Sequence, residues 1–190
     1  MHLAITEAGN TLLERDPLAL LIGMLLDQQI PMEKAFTSPS VLRDRLGHDL
    51  DAVDIASHDA TAFEELFRTP PALHRFPAAM AKRVQALCTT LVDQFDGRAE
   101  TVWTGAADGP DLVKRIGRLP GFGDQKARIF AALLGKQFDV RPRGWREATG
   151  AYGENGSFRS VADVIDDASL QKVRTFKKAQ KRANAATSAG

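Results

Sequence analysis

The sequence predicts an all-α protein, and three observations carry that prediction. Apolar residues recur at spacings of three and four, helix-capping residues stand just ahead of those runs, and no pair of alternating segments reads as two strands. The clearest run covers 77–95, where Val84, Leu87, Cys88, Leu91, Val92 and Phe95 fall on one face and Gly97 follows as a stop. Cys88 lies inside that stripe, which favours core packing over nucleophilic chemistry.

The remaining elements follow in order. Asp16 can cap a helix whose first position is Pro17, and residues 18–26 leave it almost no polar face, so this helix is expected to be buried. Ser40 can cap a short helix ending near Gly47, and 60–67 reads as another, stopped by Pro70 and Pro71. A short helix over 111–117, a tight turn over 119–123 and a helix over 124–135 then form two helices around one glycine-rich hairpin. Short helices are expected at 146–151 and 160–166. A basic helix over 168–185 leads into a tail of small residues, and no internal repeat is found.

The chain of 190 residues, 44% hydrophobic and 26% charged, has the composition of an ordinary globular protein. It is long enough for one core or for two small lobes sharing a cleft, and the whole of 1–184 reads as a single domain with a flexible tail over 185–190. Residues 1–15 do not read as a signal peptide, and the apolar stretch 18–26 is far short of the roughly 20 residues that cross a bilayer. The expectation is a cytoplasmic monomer with no membrane contact, nucleoid-associated if bacterial. A single cysteine excludes an internal disulfide and a multi-thiolate zinc or iron–sulfur site, and His2, His48, His58 and His74 show no paired ligand spacing.

The net charge of +1 conceals an asymmetry. Residues 1–110 hold 9 Lys and Arg against 16 Asp and Glu, whereas residues 111–190 hold 16 against 8. The basic excess suits either a solvated lysine-rich helix over 172–182 or a phosphate-binding face.

The most specific segment is Leu119-Pro120-Gly121-Phe122-Gly123, between two helices and followed by Lys126-Ala127. Gly121 and Gly123 permit a tight turn and let a phosphate approach the backbone N–H groups, and the N-terminus of the next helix adds its dipole. With these residues in view, the chain resembles the helix-hairpin-helix (HhH-GPD) superfamily of base-excision DNA repair glycosylases, whose members carry a leucine-proline-glycine-x-glycine hairpin. Two further segments agree in order. Residues 20–30, ending in Gln28-Gln29-Ile30, look like that family's early helix, and 80–88 look like the helix that precedes its hairpin. The resemblance spans roughly residues 16–150.

The resemblance implies two helical lobes, a hairpin gripping the backbone of double-stranded DNA through Leu119, Gly121, Phe122, Gly123 and Lys126, and a damaged or mispaired base flipped into the interlobe cleft. It implies that Gln28 or Gln29 fills the gap left by that base, the alternative being a polar helix end that bonds the backbone. No cofactor is required, and a Na+ or K+ ion at the hairpin is permitted. Two positions depart from the family pattern. Gln125 stands where strand-cleaving members have lysine, so Lys126 is read as a phosphate neighbour and not as a Schiff-base nucleophile. Pro142 stands where the catalytic aspartate is expected, which leaves Asp139, three residues earlier, and Asp27 as the candidate catalytic carboxylates. Arg143, with Arg141 and Arg146 around Trp145, can hold phosphates and stack on a base, or the tryptophan can belong to the core. The expected activity is a monofunctional DNA glycosylase hydrolysing the N-glycosidic bond; the alternative is a non-catalytic protein that recognises lesions or distorted DNA.

Overall fold

Residues 17–26 form the buried centre of the N-terminal half. Asp16 accepts hydrogen bonds from the Leu18 and Ala19 N–H groups, Pro17 occupies the first turn, and every side chain from Leu18 to Leu26 is buried, which defines helix α2 (Pro17–Leu26). In this computed structural model the backbone is described for residues 1–187 and the side chains up to Ala183; of the expected tail over 185–190, residues 185–187 instead continue the last helix and 188–190 lie outside the described residues. Among the described residues all regular structure is helical.

Around α2 pack α1 (Glu7–Arg15), α3 (Met32–Leu46) and α6 (Pro77–Phe95), and on α6 in turn pack α4 (Ala52–Ser57) and α5 (Ala60–Arg68). A second group follows: α7 (Thr101–Thr104), α8 (Gly109–Gly117), α9 (Asp124–Gln137) and α10 (Trp145–Thr149), with 3-10 turns at Gly150–Tyr152 and Val161–Asp163. Helix α11 (Asp167–Thr187) closes the chain. Buried side chains from both groups join in one contiguous core, in which Phe122 and Trp103 set their rings edge-on to Phe130.

The structure moves one predicted boundary substantially. Ser40 does not cap a helix; α3 begins at Met32 and runs through Pro39, with Ser40 buried within it. The hydroxyls of Thr37, Ser38 and Ser40 donate to the Glu33, Lys34 and Thr37 carbonyls around the proline, satisfying acceptors near a point where a helical N–H is missing. The segment expected as a helix over 160–166 is only a 3-10 turn, closed by a reciprocal cap between Ser160 and Asp163.

No helix among the described residues is long and apolar enough to cross a membrane. No group of three or more His, Cys, Asp or Glu side chains among them is placed to hold a metal ion. Cys88 is fully buried, and burial pushes its thiol up to about 12, so it stays protonated and packs as a small apolar group.

Candidate functional site

Residues 118–123 turn the chain sharply from α8 into α9. Gly121 has φ +83, a left-handed conformation that favours glycine, while Gly123 has an extended backbone and open space where a side chain would stand. Leu119 and Phe122 are buried, so they anchor the turn in the core and offer a ligand only backbone groups. Gly123 precedes α9 without a side-chain cap. The first N–H groups of that helix therefore face solvent beside two exposed glycines. Arg118 is exposed next to the turn, and a groove of about 440 Å³ between α8, α9 and α10 carries Lys114 and Arg128.

The turn is seated directly on the C-terminal end of α2, because a Cβ at position 121 would collide with Leu25 Cδ1. Lys126 extends this docking. Its ammonium does not face outward as a phosphate neighbour; it donates to the carbonyls of Met24 and Leu25, 2.9 Å from each. A cation on the last carbonyls of a helix satisfies acceptors that have no partner within the helix and opposes the negative end of the dipole. The first turn of α9 directs position 126 inward and leaves Gln125 at the surface, where its amide donates to the Tyr152 hydroxyl at 2.8 Å.

Asp27, the residue after α2, lies beside this junction. It lines a cavity of about 230 Å³ formed with Ile30, Pro31, Glu33, Val173 and Lys177. Its carboxyl makes no hydrogen bond to another described residue. Burial raises its pKa above the ordinary carboxylate value, and the charges of Lys177 and Lys126 pull in the opposite direction without cancelling it. Burial likewise lowers the Lys126 amine to about 8; Asp27 opposes that shift and Arg83 adds to it. A carboxyl with a raised pKa, a weakened base and a second cation thus meet at one end of a buried helix.

The two glutamines part company. Gln28 is tied down: its amide donates to the Leu25 carbonyl, its side-chain oxygen accepts from Arg83, and its backbone carbonyl accepts from His74 Nε2 at 2.9 Å. His74 Nδ1 accepts the Phe76 N–H, so the ring is the neutral Nε2–H form, and burial lowers its pKa in keeping with that state. Gln29 has φ +57 and an exposed side chain, so the backbone kink pushes it outward beside the cavity.

Asp139 is placed elsewhere. It follows the far end of α9, roughly 20 Å along the helix axis from Lys126. Its side chain is 83% exposed and paired with Arg141 at 3.0 Å. The chain from Arg143 meets the start of α8, where the Gly109 N–H donates to the Arg143 carbonyl, and then returns along α9 as α10. Arg143 itself is exposed at that distant end. Trp145 is a core residue: it is 7% exposed and its ring fills the space at Gly135, with Arg146 stacked outside it at 4.5 Å.

Sequence reasoning therefore brought Asp27, Gln28, Gln29, Gly121, Gly123 and Lys126 to one place in the fold, and left Asp139 and Arg143 at another. It missed His74 and Arg83, which hold the Gln28 turn from 46 and 55 residues away, and Lys177. Only Lys177 carried a signal, as part of a basic helix whose buried side was not resolved by composition. Compared with protein-family models, with curated proteins and with solved structures, the chain finds no match in any of the three.

Proposed function

We propose that the chain is a two-lobed helix-hairpin-helix protein of the base-excision type, which binds duplex DNA at residues 119–123 and cleaves the N-glycosidic bond of a flipped damaged or mispaired base. The observation that carries the reading is the Asp27 carboxyl, half-buried without a hydrogen-bond partner among the described residues, on a partly open cavity next to the hairpin. Such a group is costly to fold and is kept where a reaction uses it. Ligand pockets for drug-sized molecules are about 300–1,000 Å³, so a cavity of about 230 Å³ suits a single ring system.

In this reading phosphates of the gripped strand contact the free N–H groups at Gly123 and the start of α9. Gln29 enters the stack where the base has left. Asp27 then stabilises the cationic sugar that develops as the glycosidic bond breaks, or takes a proton from the attacking water. The charges of Lys177 and Lys126 oppose the rise that burial imposes on the Asp27 carboxyl. The proposed setting is cytoplasmic, with no cofactor required.

A second reading, a non-catalytic protein that recognises distorted DNA, is favoured by the surface placement of both Gln125 and Asp139. Single-turnover release of free base from a panel of modified duplexes decides between them. Base release that disappears in Asp27→Asn supports the first; tight lesion binding without base release from any substrate supports the second.

A further inference from the structure

A larger, open cavity lies elsewhere, about 670 Å³ between the loop 154–159 and one side of α11. Helix α11 turns Leu170, Val173, Arg174 and Lys177 toward the Asp27 cavity, and Gln171, Lys172, Thr175 and Phe176 toward this one. The two cavities therefore flank the same helix on different sides. Two half-buried phenylalanines and two cations alternate across the larger one. Lys172 of the helix stands over Phe158 of the loop at 4.4 Å, and Arg159 of the loop stands over Phe176 of the helix at 5.3 Å.

The loop is held in shape from beneath. Lys136, from the far half of α9, donates to the Glu154 carbonyl, to Ser157 Oγ and to Asp163 Oδ1, the last at 2.5 Å in a buried ion pair. Asp163 Oδ2 accepts the Arg159 and Ser160 N–H groups. Arg146 fixes the Gly153 carbonyl and Asn155 Oδ1, which leaves the Asn155 amide NH2 to donate. The Gln171 amide is exposed on the opposite wall. The one acidic side chain of the lining, Glu154, is 3.6 Å from Arg159.

Rings to stack on, cations at their faces and amides that can read polar edges match the parts of a nucleotide: a flat base, a phosphate, and donors and acceptors around the ring. A phosphate draws the exposed Lys172 ammonium outward and frees the ring beneath it. Thr175, Lys178 and Arg182 continue along the helix at three- and four-residue steps, so the cationic track extends past the cavity by about two turns.

We propose that this cavity binds an unpaired nucleotide of a single-stranded nucleic acid, with the base stacked on Phe158 and Phe176 and the adjoining phosphate held by Lys172 and Arg159. The site is separate from the hairpin, since Lys136 lies roughly 16 Å along α9 from Gln125. It does not depend on the reading of Asp27.

The test is fluorescence anisotropy with labelled octathymidylate and octauridylate and with an abasic octamer of equal charge. The full chain is compared with Phe158→Leu/Phe176→Leu, which keeps apolar volume in place, and with Lys172→Gln. Base stacking predicts that the unmodified protein binds the base-bearing octamers at least about 5-fold tighter than the abasic one, and that the double leucine variant loses this preference while its circular dichroism spectrum stays that of the folded protein. Lys172→Gln is expected to lower the slope of log affinity against log salt by about 0.7. Equal binding of abasic and base-bearing octamers, or a preference undiminished in the leucine variant, overturns the proposal. A Gly123→Val variant retains the preference, which separates this site from duplex binding at the hairpin.

Discussion

Gly121 is packed onto Leu25 so closely that any side chain at position 121 would overlap the Leu25 Cδ1 methyl. The hairpin and the end of the buried helix α2 are thereby one packed unit, and the two hairpin glycines have different tasks. Gly121→Val introduces both this overlap and a branched residue at φ +83. It is expected to lower stability by about 1–3 kcal/mol in urea unfolding. Gly123 has an extended backbone and no atom within 4 Å of a Cβ. Gly123→Val is therefore expected to melt like the unmodified protein while its duplex affinity falls, because the side chain stands in the path of a phosphate. Unaltered duplex affinity in Gly123→Val would rule out this approach to the backbone.

Gln29 and Gln28 are expected to separate in the same way. A 2-aminopurine at or beside a lesion brightens when it leaves the stack, and Gln29→Ala is expected to reduce that signal more than overall binding. Gln28→Ala instead removes the acceptor of Arg83 and a bond to the Leu25 carbonyl. Its expected effect is a loss of about 1 kcal/mol in stability with the flipping signal largely kept. Equal flipping signals in Gln29→Ala and the unmodified protein would show that another side chain fills the gap.

Much of this arrangement was legible in the sequence because it is local. The cap at Asp16, the stripe of α6 and the Leu119–Gly123 turn follow from residue type and spacing over a few positions. The direction of Lys126 was not, because it depends on where α2 ends against α9, a contact across 101 residues. The short helices α1, α4 and α7 also escaped notice. Helix α7 has no capping side chain, and the Asp51 cap of α4 precedes only six residues. Asp139 was placed near the site by alignment of a loop, yet its φ of +59 and its pairing with Arg141 carry it to the surface at the other end of α9. A loop's path is set by what its two ends pack against, which spacing does not encode.

Asp27→Asn tests chemistry and stability together. Loss of a positioned acid-base group typically costs about 10²- to 10⁴-fold in rate, so single-turnover base release is expected to fall by that order with modest change in affinity. Asp139→Asn is expected to leave the rate within about 2-fold. The stability effect has a definite sign. The folded-state pKa of Asp27 is raised above its ordinary value of 3.8, so the folded protein holds the proton more tightly and loses stability as pH climbs through that interval. At neutral pH Asp27→Asn is therefore expected to melt higher than the unmodified protein, and below pH 3.8 the difference is expected to vanish. A variant that is less stable at neutral pH would mean that the carboxylate is held by favourable partners.

Lys126 provides the complementary test at alkaline pH. Its amine falls from 10.5 to about 8 chiefly because burial disfavours the charged form. Below pH 8 the lysine is charged in both folded and unfolded chains, and the full desolvation cost is present. Between pH 8 and 10.5 the folded chain releases its proton first, and that cost is relieved. The unmodified protein is thus expected to gain stability relative to Lys126→Met across this window, with a limiting slope of about 1.4 kcal/mol per pH unit for one proton. Lys126→Met also leaves the Met24 and Leu25 carbonyls without their donor, which displaces its stability downward at every pH but does not create a slope. Because Lys126 is committed to those carbonyls and Gln125 to Tyr152, borohydride treatment with an abasic duplex is expected to trap no covalent adduct. Urea midpoints measured for both proteins from pH 7.5 to 10.5 decide the electrostatic point, since the exposed groups common to the two cancel in the difference. A difference that stays constant with pH would show an ordinary solvated amine, and the polar junction between α2 and α9 would then have to be held by packing at Gly121 and Leu25 alone.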